Sequence, residues 1–363
     1  MRSRGLTQGV TPSALVGPEE LAREHGLPSI LRLGSNESPY GPSPRARAAI
    51  ARAADGVHRY GDPSCHDLRA ELARRHRVAL ENVLIGAGID ELLGLIVRAY
   101  LAPGAPAVAS LGGFPTFEMH VNGFEGRLDR VPYLASGRVD LDGYLAATRR
   151  HDGALVFLPN PDNPTGSYVS WGDMLAFAQA LPPASLLIHD EAYANFLPPQ
   201  ERFPDDAIVP GVVRLRTFSK EYGLAGLRVG YALAERTVIQ ALDAIRLLYG
   251  VNRIALEAAL VSLSDWRYVE GVLARIAEGR AEYVALGAQL GLPALPSTTN
   301  FVLFDCGRAE RAVALLQALL ARGIHIRKPP FAPLDRCVRI TVGAPDERKL
   351  LAEALRASLL QLA

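Results

Sequence analysis

The chain has 363 residues, of which 49% are hydrophobic and 21% are charged. This length allows a large buried core and predicts more than one domain. Lys plus Arg number 39 against 38 Asp plus Glu, so the bulk charge provides no field that would draw the protein to nucleic acid or to a membrane surface. Three widely spaced cysteines, Cys65, Cys306 and Cys337, argue against a disulfide framework and against a metal-ligand cluster.

The apolar runs of the chain do not predict a membrane segment. Residues 1–9 are basic but are not followed by the apolar core that a signal peptide needs. The longest apolar stretch, residues 92–102, is interrupted by Arg98 and is too short to span a bilayer. We therefore expect a cytoplasmic protein with no metal, nucleic-acid or membrane partner.

Short apolar runs alternate with segments of helical period between about residues 65 and 260. The strands are predicted near residues 82–85, 107–109, 154–158, 186–188, 212–215 and 229–232, and helices over residues 67–75, 90–100 and 171–180. This alternation is typical of a parallel sheet covered by helices. Ligands of such a sheet bind beyond the carboxyl ends of its strands.

The pattern changes after about residue 260. A long helical stretch precedes a strand at residues 299–304, a helix at 308–322, strands at 324–327 and 337–342, and a closing helix. This order predicts a separate, smaller α+β unit. The segment before about residue 35 is too short for a domain and is expected to pack on that unit. The predicted division is therefore 1–35, 36–260 and 261–363.

Lys220 lies in a segment that follows the predicted strand at residues 212–215. Thr217, Ser219 and Arg228 are close to it in the sequence, together with several glycines. Side chains at the end of a strand face a cleft, so the two hydroxyls and the guanidinium could converge on an anion. A lysine in such a place is a candidate for covalent chemistry.

Two other strands also end in polar side chains. Asp190 ends the strand near residues 186–188, with Tyr193 three residues later. A carboxylate there either caps the next helix or meets a buried cation, such as the ring nitrogen of a pyridinium cofactor. Asn163 lies in the proline-rich loop at residues 158–166, where a fixed amide could hydrogen-bond a phenolic oxygen or a carboxylate.

A third candidate is the segment Gly86-Ala87-Gly88, which joins a strand to a helix that begins near Ile89 and Asp90. Exposed N–H groups at the start of a helix form an anion site. Dinucleotide-binding domains also contain two such glycines, but the third glycine of their fingerprint is not at its expected place. A phosphate monoester is therefore the preferred ligand.

Taken together, these segments resemble the fold type I pyridoxal-phosphate aminotransferases, and most closely their histidinol-phosphate aminotransferase branch. The resemblance begins at residues 33–44, where NESPYGPSP is similar to a signature of that branch, and passes through RYGDP at 59–63. It ends at residues 336–343 and so covers nearly the whole chain. The fold that it implies is aspartate aminotransferase-like and belongs to the α/β class. A large pyridoxal-phosphate-binding domain with a mixed, mostly parallel seven-stranded sheet between helices is joined to a smaller α+β domain, in a homodimer.

The resemblance also implies roles for individual residues around pyridoxal 5'-phosphate. Lys220 would form a Schiff base with the cofactor and then transfer the substrate α-proton. Asp190 would pair with the ring nitrogen, while Tyr193 and Asn163 would bind the ring oxygen. Phe117 falls where the family stacks a tyrosine on the ring. The ligands implied for the phosphate are the N–H groups of Ile89 and Asp90, the side chains of Thr217, Ser219 and Arg228, and Tyr60 from the second subunit.

For the substrate, the resemblance implies that Arg339 grips a carboxylate or its equivalent. Arg327 would be a second anion-binding arginine, and Asn36 would lie at the cleft edge. The branch usually has a tyrosine near the N-terminus that reaches the substrate phosphate, whereas no tyrosine precedes Tyr40 here. Ile89 replaces a small or hydroxyl residue of the phosphate site, and Phe117 replaces the stacking tyrosine.

The function implied is transfer of an amino group from L-histidinol phosphate, or a related amino donor, to 2-oxoglutarate. Two alternatives use the same cofactor. One is an aromatic amino-acid aminotransferase with Phe117 and Tyr40 as apolar walls, and the other is an amino-acid-phosphate decarboxylase. A dinucleotide-dependent oxidoreductase and a non-catalytic effector-binding protein are further alternatives, but the first leaves Lys220 unexplained and no DNA-binding extension supports the second.

Overall fold

The computed structural model describes residues 16–362. Its α-helices are α1 (Pro18–Glu24), α2 (Pro44–Ala54), α3 (His66–His76), α4 (Ile89–Tyr100), α5 (Pro115–Gly123), α6 (Leu141–Arg149), α7 (Trp171–Ala180), α8 (Arg236–Asp243), α9 (Arg253–Leu263), α10 (Trp266–Leu290), α11 (Ala309–Leu320) and α12 (Pro345–Leu362). No helix within residues 16–362 combines the length and the apolar character needed to cross a membrane.

Seven strands form one large sheet. They are β2 (Val83–Gly86), β3 (Pro106–Ser110), β4 (Arg127–Val131), β5 (Leu155–Pro159), β6 (Leu186–Asp190), β7 (Val212–Thr217) and β8 (Gly230–Leu233). Their order across the sheet is β2-β8-β7-β6-β5-β3-β4. β8 is antiparallel to both of its neighbours and the remaining pairs are parallel. The predicted mixed, mostly parallel seven-stranded sheet is confirmed.

Six of these strands agree with the apolar runs in the sequence, and β4 is the one that those runs do not predict. β4 has the sequence RLDRV and pairs only with β3 at the edge of the sheet. The charged residues of β4 oppose pairing of this edge with other chains, so β4 lacks an apolar run, whereas β2 at the opposite edge is apolar and buried. By contrast, β5 and β7 are buried along their whole length because both lie inside the sheet.

The remaining strands form two small sheets. β1 (Leu31–Arg32) pairs in parallel with β10 (Ile324–His325), and β9 (Phe301–Asp305) pairs antiparallel with β11 (Cys337–Thr341). A hydrophobic cluster joins these strands to α10, α11 and α12, and it is distinct from the clusters on the large sheet. The arrangement follows the predicted order of a small α+β unit, while the boundaries 1–35, 36–260 and 261–363 stay a prediction.

Candidate active site

A cavity of about 920 Å³ lies at the carboxyl ends of the parallel strands of the large sheet. The segments that follow β2, β3, β5, β6 and β7 line one side of it, as expected for a sheet of this kind. The other side is formed by residues of the N-terminal segment and of the two small sheets. The predicted site residues that line it are Asn36, Ile89, Asp90, Asn163, Asp190, Tyr193, Thr217, Ser219, Lys220, Arg228, Arg327 and Arg339.

Lys220 lies three residues beyond the end of β7 and is half-buried in the cavity wall. Its Nζ atom is 5.5 Å from the centroid of the Tyr193 ring. A turn at Gly223 sets this position, because the Gly223 N–H donates to the Lys220 carbonyl at 3.0 Å. Gly223 has φ 68°, and a side chain there would bring Cβ to 2.8 Å from the backbone nitrogen of Pro42. The segment therefore requires glycine at this position.

Asp190 is the last residue of β6 and is almost completely buried. One of its carboxylate oxygens accepts the Ala192 N–H at 2.9 Å. Burial raises the pKa of Asp190 to about 7, although this hydrogen bond and the charge of Lys220 act in the opposite direction. Desolvation without a close counter-ion explains the shift, so the carboxylate is suited to a cationic ligand.

The neighbouring acid, Glu191, has a different environment. Its carboxylate pairs with Arg214 at 3.1 Å and with Arg216 at 2.7 Å, and all three side chains are buried. These two arginines hold the pKa of Glu191 far below its usual range despite the burial. Glu191 is therefore neutralised within the protein, while Asp190 is directed to the cavity.

Asn36 positions the hydroxyl group of Tyr193. The Asn36 Nδ2 atom donates to the Tyr193 hydroxyl at 2.9 Å, and Asn36 Oδ1 accepts from the Thr341 hydroxyl at 3.0 Å. Asn36 has φ 55° and is buried. Because the Tyr193 oxygen accepts from Asn36, its own proton remains available for a ligand oxygen.

The N-terminus of α4 and the end of β7 form an anion-binding cup. Ile89 and Asp90 begin the helix, which presents backbone N–H groups there. The Thr217 hydroxyl donates to Ser219 Oγ at 2.9 Å, and the Arg228 guanidinium lies 3.5 Å from the same oxygen. Arg228 also pairs with the Asp90 carboxylate at 3.2 Å. Helix dipole, hydroxyls and guanidinium thus surround one position suited to a phosphate.

Arg339 forms the opposite end of the cavity. Its guanidinium donates to Asn163 Oδ1 and to the Gly34 carbonyl, the latter at 2.7 Å, and burial lowers its pKa to about 10. Arg327 pairs with Arg339 through backbone hydrogen bonds and donates from Nη2 to the Val16 carbonyl at 2.9 Å. Arg339 on β11 and Arg327, which forms a bridge with it, make this end an anion site.

The sequence interpretation missed the residue that fixes the Asn163 loop. Asp162 is buried and accepts hydrogen bonds from the Thr165 N–H at 3.0 Å, the Thr165 hydroxyl at 2.7 Å and the Tyr133 hydroxyl at 3.0 Å. The prolines alone therefore do not hold the loop. An Asp followed three residues later by Thr is a turn signal that could have been found in the sequence.

The prediction for Phe117 is wrong. Phe117 is completely buried and stacks on Phe157, with ring centroids 4.9 Å apart, in the core beneath the sheet. Phe114 lines the cavity instead. Tyr40, the second predicted apolar wall, packs against the hydrophobic cluster of the small α+β unit. The Arg275 Cζ atom lies 3.9 Å from the centroid of the Tyr40 ring. The apolar wall of the cavity is provided by residues such as Phe114 and Phe331.

Tyr60 lies outside this cavity. Its ring is 76% exposed and stacks on Tyr249 with centroids 4.4 Å apart. This exposure excludes core packing, and the contact with a second subunit stays a prediction. The N-terminal stretch in which the sequence lacks the expected tyrosine lies mostly in residues 1–15, outside the described residues.

These residues fit pyridoxal phosphate. The cup at the start of α4 offers donors to a phosphate, and the buried Asp190 carboxylate suits a cationic ring nitrogen. Tyr193 offers a hydroxyl proton for a ring oxygen, and Lys220 lies beside it. Among residues 16–362, no three His, Cys, Asp or Glu side chains are arranged to hold a metal ion.

Comparison with known proteins agrees with this geometry. Residues 28–357 match the family described as aminotransferase class I and II. Histidinol-phosphate aminotransferase from Symbiobacterium thermophilum is 38% identical over 344 residues, which is 94% of each chain. A homologue of the same description from Dechloromonas aromatica is 37% identical, covering 94% of this chain and 93% of its own.

The similarity extends to solved structures. A crystal structure of histidinol-phosphate aminotransferase from Sinorhizobium meliloti in complex with pyridoxal-5'-phosphate is 46% identical to this chain. It superposes with a TM-score of 0.95 and covers 100% of this chain and 99% of its own. Matches over this length and at this identity establish common descent, and the chain belongs to the aminotransferase class I and II family.

Proposed function

We propose that this protein is a pyridoxal-phosphate-dependent aminotransferase that moves the amino group of L-histidinol phosphate to 2-oxoglutarate. The names of its relatives support the reaction, and the bound ligand of the Sinorhizobium meliloti structure supports the cofactor. The observation that carries the proposal is the placement of Lys220, Asp190 and Arg339 in the walls of one cavity.

Each of these residues has a separate task. When bound, pyridoxal phosphate supplies the electron sink that stabilises negative charge at the substrate α-carbon. Lys220 carries the cofactor and moves the α-proton, and Asp190 keeps the ring nitrogen protonated. Arg339 and Arg327 hold the anionic group of the substrate, so that the α-carbon stays close to the Lys220 amine.

The protein acts as a cytoplasmic homodimer in this proposal, with Tyr60 reaching the phosphate of the neighbouring subunit. The exposed apolar surface around Tyr60 supports the dimer. Leu247 and Leu248 are 69% and 61% exposed, and Tyr249 stacks on Tyr60 itself. A cluster of large apolar side chains on the surface is typical of a protein interface.

A single-turnover screen of amino donors tests the reaction. The holoenzyme is mixed with L-histidinol phosphate alone, and the absorbance of the bound cofactor is followed. We expect the absorbance to change within one turnover and 2-oxoglutarate to restore it. L-phenylalanine is the comparison donor, because Phe114 and Phe331 in the wall favour an aromatic side chain as the second candidate.

The outcomes separate the alternatives. If only aromatic amino acids change the absorbance, the histidinol phosphate assignment is wrong and aminotransfer is retained. Release of carbon dioxide from an amino-acid phosphate, with no need for an oxo acid, would identify a decarboxylase. No spectral response to any amino donor would contradict aminotransfer and decarboxylation alike.

The phosphate cup yields a prediction about Gly88. Gly88 has φ 85°, and a Cβ atom there would lie 2.6 Å from Nη2 of Arg228. The substitution Gly88→Ala strains the backbone by about 1–3 kcal/mol and displaces the guanidinium. We expect the dissociation constant of pyridoxal phosphate to rise at least about tenfold, as measured by titration of the apoprotein.

Gly172→Ala is the matched control for this measurement. A Cβ atom at Gly172, in α7, meets nothing within 4 Å and needs no unusual backbone conformation. This variant should bind the cofactor as the wild type does. Equal affinity of Gly88→Ala and Gly172→Ala would show that the cup at α4 does not bind the phosphate.

A further inference from the structure

His325 lies in the wall of the cavity, in the strand that leads to Arg327. It is 3% exposed, and within residues 16–362 neither of its ring nitrogens has a hydrogen-bond partner. A buried imidazole without partners is unfavourable, because both ring nitrogens are removed from water without compensation. Such a group in a cavity wall indicates a ligand that supplies the missing hydrogen bond.

The position of His325 directs it to the anion-binding end of the cavity. His325 and Arg327 both line the cavity, and Arg327 forms an isolated bridge with Arg339 on β11. The His325 ring also packs against Gly34, where an added Cβ atom would lie 2.7 Å from Nδ1. The Gly34 carbonyl in turn accepts from the guanidinium of Arg339 at 2.7 Å.

The charges around His325 keep its imidazole neutral. Burial, together with the positive charges of Arg327, Arg32 and Arg339, lowers the pKa of His325 to about 4, and Glu19 acts weakly in the opposite direction. Arg32 is itself paired with Glu37 at 2.7 Å and with Glu19. A neutral imidazole has one N–H donor and one acceptor, so it can donate to an anion without adding another positive charge.

The hydrogen-bond donors at the Arg339 end of the cavity outnumber those needed to bind a carboxylate. One guanidinium holds both oxygens of a carboxylate in a bidentate pair. Here Arg339, Arg327 and His325 all line this end of the cavity, and the Arg339 Nε atom lacks a partner among the described residues. A phosphate monoester, with three terminal oxygens and up to two negative charges, uses this larger set of donors.

We infer that His325 is a specificity-determining residue that donates a hydrogen bond to the phosphate of the amino donor. The inference rests on the proposed function, because it names the residue that recognises the phosphate of the same substrate.

The test compares His325→Met and His325→Gln with the wild-type holoenzyme. Methionine removes the donor and retains much of the volume, while glutamine retains a donor. The ratio of kcat/KM for L-histidinol phosphate to that for L-histidinol is expected to fall about tenfold or more in His325→Met, since a hydrogen bond to a charged group is lost. The ratio for His325→Gln should lie between those of His325→Met and the wild type.

A second measurement does not depend on turnover. Inorganic phosphate is titrated into the holoenzyme by calorimetry, with the cofactor phosphate already filling the cup at α4. His325→Met should bind phosphate about tenfold more weakly than the wild type. No measurable phosphate binding by the wild type, or the same affinity in His325→Met, would overturn the inference.

His76→Met is the matched control. His76 is also buried, but its imidazole bonds to the Tyr231 hydroxyl at 2.9 Å away from the cavity. This variant should be less stable and keep the wild-type substrate ratio. A purely structural role for His325 would lower kcat/KM for both donors equally, which also overturns the inference. If the wild type shows no activity with L-histidinol phosphate, the proposed function fails, and the calorimetric comparison still decides the role of His325.

Discussion

Replacing Lys220 with alanine is expected to lower kcat for aminotransfer by about 10⁴-fold or more. In the proposed mechanism, the substitution removes both the amine that binds the cofactor covalently and the group that moves the α-proton. Steady-state kinetics with the best amino donor measure the loss. Borohydride reduction of the wild-type holoenzyme, followed by peptide mass spectrometry, should find the cofactor attached to Lys220.

The chain provides a matched control for this experiment. Its lysines are Lys220, Lys328 and Lys349. Lys328 lines the same cavity and donates to the Pro329 carbonyl at 3.2 Å, whereas Lys349 is exposed on α12. Lys328→Ala should retain covalent cofactor attachment and change kcat by less than about tenfold, because it removes a binding contact at most. An adduct on Lys328 would show that the nucleophile has been misassigned.

The substitution Asp190→Asn is expected to lower the activity of the enzyme and to raise the stability of the apoprotein. The amide is neutral and cannot hold the ring nitrogen in its protonated form, so kcat should fall on the order of 10²-fold or more. The apoprotein should nevertheless become more stable at pH 8. This gain arises because Asp190 is buried and its pKa is raised from 3.8 to about 7 in the fold.

The sign of the pH effect follows from proton binding. The folded state binds the Asp190 proton more tightly than the unfolded state does, so the contribution of this group to stability is present below about pH 4. It is lost as the pH rises through about 7. The shift corresponds to about 4 kcal/mol at pH 8. Denaturant unfolding of the wild-type and Asp190→Asn apoproteins should show free energies of unfolding that differ by this amount at pH 8. The difference should decrease towards pH 5.

Asp162→Asn is the control for the stability effect. Burial raises the pKa of Asp162 as well, to about 6. Its carboxylate, however, accepts hydrogen bonds from Thr165 and Tyr133, which an amide cannot replace in full. This variant should therefore lose stability. If both asparagine variants destabilise the apoprotein equally, the Asp190 carboxylate is satisfied within the protein and is not held for a ligand.

The sequence predicts those parts of the site that follow buried strands. β6 and β7 are apolar runs that end in Asp190 and Thr217, and parallel strands bring their carboxyl ends together. Chain order alone therefore places these residues near Lys220. The hydrogen bond between Arg339 and Asn163 is different, because it joins residues far apart in sequence. The resemblance to a family assigned both residues to the site but did not predict their contact.

The error at Phe117 has a local cause. Pro115 occupies the first turn of α5, and Phe117 and Val121 are completely buried on one face of that helix. A proline at a helix start and apolar residues four apart predict this buried face. The residue before the helix, Phe114, is therefore the one left to face the cavity. The helical periodicity of residues 115–123 predicts that Phe117 is buried, and it would have corrected the ring-stacking role that the resemblance assigned to Phe117.

The two ends of the cavity belong to different parts of the fold. The cup and Asp190 lie at the strand ends of the large sheet, whereas His325 and Arg339 belong to strands of the two small sheets and Arg327 forms a bridge with Arg339. Laboratory evolution can exploit this separation. Mutant libraries confined to residues 324–331 would vary the amino donor accepted while the cofactor site keeps its full set of contacts. Libraries spread over the whole chain would also alter the cup and Asp190, so some of their variants would lose the cofactor.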